Sequence, residues 1–221
     1  MIQLRYPYPS ISRNGRCSYG GNQMWAASTT MQQCGCGVVA AQDLLLYLER
    51  SRGNSARNQP DNPLPVQLYN DQLEQLNRKY FPLIPHFGIN GLLLAAGINR
   101  LLRRKKLPYR AHWAASGAKL WDRAAHMLQE DLPVILSVGP NFPAVWQKHR
   151  LDFYRRLPDG RYQKASAACA HYVTITGIDD NWAQIASWGM QYYVNRQEYA
   201  QFVRKHSNYV FSNIMYLEKL S

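Results

Sequence analysis

Two cysteines, Cys34 and Cys36, each followed by glycine, open an almost wholly apolar run, CGCGVVAAQDLLLYL. Thiols placed there admit four chemistries: a disulfide, a metal site, a redox pair or a nucleophile. A thiol becomes a nucleophile when its pKa is lowered, as a helix N-terminus beside an imidazole does. Cys36 stands where a buried helix should start, and Gly37 leaves room for a substrate carbonyl to approach. The other requirement is a histidine brought in from far along the chain. His171 opens the apolar run HYVTITGI, where a strand would hold its ring on rigid structure. Cys34-x-Cys36 and Cys169-x-His171 also supply four zinc ligands, although one-residue spacing is tighter than the usual knuckle.

The elements that must position these residues follow from length and pattern. A chain of 221 residues can bury a sizeable core without staples. Its four cysteines, Cys17, Cys34, Cys36 and Cys169, are too few and too uneven for a disulfide framework. Cys36 to about Arg50 reads as a helix apolar on nearly every side, hence central and buried. Residues 51–65 are a polar loop dense in turn formers, and 1–33 show no clear period. Helical spacing marks 67–80, then about 90–106, which halts before Pro108, then about 116–130.

Strand signals are expected only afterwards, at 133–138, 171–178, 182–189, 191–195 and 209–217. LDFYRRL and RYQKAS flank Pro158-Asp159-Gly160 as a hairpin, and a short helix covers Arg196 to about His206. Helices first and antiparallel strands later predict an α+β fold. We expect a single domain over 1–221, with a helical lobe at about 34–130 packed on a sheet lobe at about 131–221.

The balance of 26 basic to 14 acidic residues gives +12, but the basic residues are scattered. The densest run, Arg103-Arg104-Lys105-Lys106, ends a predicted helix, where cations complement the dipole. No finger spacing, RNA-binding aromatic signature or glycine-rich phosphate loop accompanies them, so nucleic acid is not an expected partner. The first residues lack the apolar stretch of a secretory signal, and no run reaches membrane-spanning length. A cytoplasmic location with no membrane partner is expected.

CGVVAAQDLLLYL, PVILSV, HYVTITGI and IASWG, in that order, resemble a papain-like cysteine peptidase, and most closely the bacterial peptidase C39-like group. The resemblance covers about 34–48 and 131–200. It implies a hydrolase with Cys36 as nucleophile and His171 as base, leaving Cys34 as a loop thiol. It also implies a third residue on the next strand, usually Asn or Asp, to orient the imidazole. The expected position holds Ser187, with Ala186 the rival alignment and Asp179 or Asp180 an alternative in the preceding turn. The family's oxyanion glutamine falls on Gln23, with Gln32 and Gln33 as rivals.

The implied reaction is hydrolysis of a peptide or isopeptide bond through an acyl-enzyme, with no cofactor and no metal. The implied partner is a peptide or protein substrate. An acidic substrate is expected from Lys148, Arg150, Arg155, Arg156, Arg161 and Lys164 in the hairpin, which should flank the cleft. A catalytically silent binding protein of the same fold, and a zinc protein using Cys34, Cys36, Cys169 and His171, are the alternatives.

Overall fold

The computed structural model describes residues 1–52, 62–114 and 116–220. The polar loop expected at 51–65 therefore falls mostly outside the described residues. In chain order come β1 (Ile2–Gln3), β2 (Ile11–Arg13), β3 (Arg16–Cys17), a 3-10 turn (Gln23–Trp25), α1 (Thr29–Cys34) and α2 (Cys36–Arg52). Then follow β4 (Leu64–Pro65), α3 (Val66–Tyr80), α4 (Gly91–Arg104), β5 (Tyr109–Trp113) and α5 (Leu120–Gln129). The last part holds β6 (Val134–Val138), β7 (Leu151–Arg156), β8 (Tyr162–Ala168), β9 (His171–Ile178), β10 (Trp182–Ser187), β11 (Met190–Asn195), α6 (Arg196–His206) and β12 (Ile214–Lys219). The molecule is mixed α+β, built on one large antiparallel sheet ordered β5-β12-β6-β9-β10-β11-β7-β8, with β1 added to β9. A small sheet, β3-β2-β4, stands apart.

Helix α2 is apolar on nearly every side, and Val38, Ala41, Leu44, Tyr47 and Leu48 are all fully buried. Such a helix must be surrounded. It packs on β9 and β6 of the sheet and on α3 and α4. Burying each large side chain contributes about 1.5–3 kcal/mol. Helix α4 begins where the Asn90 side chain accepts the Leu93 amide at 2.9 Å, and it ends on Arg103 and Arg104.

Several elements depart from the sequence expectations, among them the short strands β2, β3 and β4. α1 lies inside the stretch that showed no period; six residues are too few to display one. β5 lies within the expected helical lobe but forms an edge of the sheet, so strands do not wait until residue 131. Only Ala111 of β5 is buried, which leaves little alternation to detect. The open edge of β5 is covered by Asn99 of α4, whose amide both donates to Ala111 O (2.8 Å) and accepts its N–H (2.7 Å).

The last strand starts at Ile214, not 209, because Asn208 Oδ1 accepts the amides of Val210 and Phe211 and folds that segment into a turn. The terminal segment at Ile2–Gln3 joins the sheet as well.

Gly97 lies inside α4, where alanine would ordinarily favour helix. A Cβ there would meet the Phe81 ring and stand 2.6 Å from the Tyr80 carbonyl oxygen. Gly97→Ala should therefore destabilise the fold by about 1–3 kcal/mol, read as a lower urea midpoint at unchanged m-value. A neutral or stabilising result would show that α3 and α4 are not packed this closely.

Candidate active site

Only Gly35 separates α1 from α2. Its amide bonds Met31 O at 2.8 Å, and a side chain there would strike that same carbonyl. The chain turns and re-enters helix at Cys36, so the thiol sits at a helix N-terminus, as the sequence suggested. Gly37 lies against Ile89 and Tyr172, and a Cβ would stand 2.8 Å from Ile89 Cγ2. Tyr172 in turn donates its hydroxyl to Ile89 O at 3.1 Å.

His171 heads β9 opposite Val138 of β6. Its Nε2 lies 2.8 Å from Ser187 Oγ. What selects Ser187 over Ala186 is a β-bulge. Gln184 pairs with Gly177 but Ile185 pairs with Ile175, so β9 carries one extra residue at Thr176. Past the bulge Ala186 pairs with Thr174, and Ser187 therefore follows opposite Val173, on the face shared with His171. Asp179 is at the other end of β9, where it accepts the amides of Asn181 (3.0 Å) and Trp182 (2.8 Å).

β10 turns into β11 through Trp188 and Gly189, both with positive φ (51° and 74°), while Ser187 pairs with Met190. A two-residue turn of this kind favours Asn-Gly, and tryptophan in the left-handed region is strained. The strain places the Trp188 ring on the imidazole, with centroids 4.6 Å apart and planes at 18°.

Cys36, His171, Ser187 and Gln23 all line one cavity of about 20 Å³, room for about a single water. Gln23 reaches it from the 3-10 turn, which Asn22 caps by accepting the Met24 amide at 2.9 Å. The Gln23 Nε2 donates to Gln32 O at 2.7 Å. Of its rivals, Gln32 is committed to Ala26 O at 2.9 Å, and Gln33 is exposed. Sequence reasoning missed Asp43, which lines the same cavity. An acid seven positions from Cys36 in an apolar helix was the available signal, since that spacing returns to the same face.

Electrostatics differ from expectation. Burial pushes the Cys36 thiol up to about 11, although the N–H groups of Tyr172, Gly37 and Cys36 itself favour the thiolate. The expected lowering fails because desolvation outweighs those amides. Burial likewise pushes His171 down from 6.5 to about 4. Stability linked to this neutral ring is lost as pH falls from about 6.5 toward 4, because the unfolded chain then takes up a proton that the fold disfavours. Both shifts favour the neutral form, of the thiol and of the imidazole alike.

One further expectation is corrected, and one alternative is set aside. Cys34 is not a loop thiol but the buried last residue of α1. Among the described residues no three His, Cys, Asp or Glu are grouped to hold a metal ion, so Cys34, Cys36, Cys169 and His171 do not form a zinc site. All four cysteines are free, and Cys17 is exposed.

The β7–β8 hairpin does not flank the cavity. It lies at the sheet edge beyond β10 and β11, because β7 pairs with β11 and not with β9. Its Phe153 ring packs toward the Trp188 ring, with centroids 5.7 Å apart. Arg161 and Lys164 pair with Asp159 and Asp152, each at 2.7 Å.

No protein-family model, curated protein or solved structure matches the chain.

Alkylation of Cys36 by iodoacetamide should climb about tenfold per pH unit from about pH 7 to 10, because only the thiolate reacts. Mass spectrometry must resolve the site, since Cys17 is also open to the reagent. A rate plateau below about pH 8, the mark of a thiolate–imidazolium pair, would contradict the neutral resting state.

Proposed function

We propose that the chain is a papain-like thiol hydrolase, related in kind to the peptidase C39-like group, that cleaves a peptide or isopeptide bond. The observation that carries this reading is the convergence on one cavity of Cys36 at a helix N-terminus and His171 bonded to Ser187. In the proposed cycle Nε2–H of His171 donates to Ser187 Oγ, which leaves Nδ1 as the base. Nδ1 takes the thiol proton as sulfur attacks the carbonyl carbon. The C=O bond opens to an oxyanion that accepts from the Cys36 amide and from the second N–H of Gln23.

Collapse of that intermediate breaks the C–N bond, and the departing amine takes the proton from His171. Water, giving its proton to His171, then splits the thioester. A carboxylate product leaves and the thiol is restored. Because both groups rest neutral, charge separates only during attack, so His171 works as a general base and not as half of a standing ion pair. No cofactor enters this cycle. The net charge of +12 favours an acidic peptide through long-range steering.

One observation favours a second reading, a silent protein of the same fold that binds without cutting. A serine replaces the usual amide or carboxylate beside the imidazole, and a neutral acceptor contributes only about 1 kcal/mol.

A chloroacetamide or epoxide probe, read by mass spectrometry at each cysteine, separates the two. Hydrolysis predicts labelling at Cys36 that Cys36→Ala abolishes and Cys34→Ala leaves intact. Ser187→Ala should slow acylation by an activated ester roughly tenfold, the equivalent of one neutral hydrogen bond. Absence of any reaction at Cys36, in a protein whose Cys17 reacts normally, would leave the silent reading.

A further inference from the structure

Asp43 is buried to 3 % exposure in the middle of α2, yet among the described residues no cation faces it. Its oxygens accept from three donors: the Gly21 amide at 2.9 Å, the Tyr69 hydroxyl at 2.8 Å and the Tyr8 hydroxyl at 3.4 Å. Burial nevertheless pushes its carboxyl up from 3.8 to about 7. A carboxyl kept at that cost in an apolar helix is unlike a solvated surface acid.

The contacts lead to the oxyanion arm. Gly20, at φ 76°, bonds Pro9 O at 2.7 Å, and a Cβ on it would stand 2.5 Å from Asp43 Oδ2. A side chain on Gly21 would overlap the Tyr69 hydroxyl. Two residues later comes Gln23. The carboxyl therefore clasps the glycine pair that fixes where the Gln23 turn begins. The Trp188 turn is tied to the same stretch, since Gly189 N–H donates to Gly21 O at 2.8 Å and Asn22 Nδ2 to Trp188 O at 3.1 Å, but the β10–β11 pairing also holds it.

We infer that Asp43 is a positioning residue for catalysis: through Gly21 it sets the Gln23 amide at the distance an oxyanion requires. The inference rests on the hydrolase reading of the same site. Oxyanion donors act over a narrow range, and a misplacement of about 1 Å can lower a rate about 100-fold.

The test compares two reagents on Cys36 in the full chain. p-Nitrophenyl acetate acylates through an oxyanion, whereas iodoacetamide alkylates by direct displacement and forms none. Asp43→Asn keeps the volume but leaves either the Gly21 amide or the Tyr69 hydroxyl without its acceptor. It should lower acylation by about 10- to 100-fold while alkylation stays within about twofold. Tyr69→Phe, which removes one donor and leaves the carboxyl, should show the same split to a smaller degree; it serves if Asp43→Asn does not fold.

Gln23→Ala should match the Asp43→Asn loss, and the double variant should be no slower than Gln23→Ala, because both remove one donor. Equal losses with both reagents would make Asp43 purely structural and overturn the inference, as would unchanged acylation or additive losses. A parent protein whose Cys36 alkylates but does not acylate would remove the hydrolase reading, and the inference with it. A parent that acylates normally beside insensitive Asp43 variants would remove the inference alone.

Discussion

The packing of α2 against β9 is the constraint on which the site depends. A helix with Val38, Ala41, Leu44, Tyr47 and Leu48 all buried has no face to give to water, so it must end where the sheet and the other helices close around it. Its first residue is Cys36, and the strand it meets begins with His171. Gly37 lets the two approach, because any side chain there would press on Ile89 and Tyr172. That thiol and imidazole, 135 positions apart, line one cavity is thus a by-product of core packing, which is far stiffer than any loop could be.

A second layer of geometry is finer, and one residue sets it. Without the extra residue at Thr176, the β9–β10 ladder would bring Ser187 opposite Thr174 and turn its hydroxyl from His171 to the other face. The bulge is itself held, since Thr176 Oγ1 accepts from the Tyr19 hydroxyl at 2.9 Å and from Gln184 Nε2 at 3.1 Å. Beyond Ser187 the chain accepts a tryptophan in a left-handed turn, a strain of order 1–3 kcal/mol, and gains an aromatic wall for the imidazole. Strain retained beside a candidate base is the pattern of a site shaped for something other than stability.

Much of this was legible in the sequence, and the reasons for success and failure are physical. Long apolar periods announced α2, α3 and α4, and the strand His171–Ile178 was read to its ends because both its faces are buried. Cys36, His171, Ser187 and Gln23 are all candidates on residue type and spacing, and one cavity is lined by all four. β5 was missed because an edge strand that buries only Ala111 carries no alternation. The choice between Ala186 and Ser187 could not be made from alternation either, because a bulge leaves no mark in residue types. The direction of the Cys36 shift was misjudged for a similar reason: a helix N-terminus is visible in sequence, whereas the depth of burial over it is not.

That depth gives the serine a rationale. A carboxylate in place of Ser187 would be a charge beside a buried imidazole, at a position where the residue is only 6 % exposed. It would stabilise an imidazolium, but it would also have to be desolvated at all times, with one ring for a partner. A hydroxyl carries no such standing penalty. It suits a ring and a thiol that desolvation biases toward their neutral forms, because none of the three groups then bears a buried charge. The neutral acceptor and the two shifts away from the charged forms are therefore one consequence of a poorly solvated cavity.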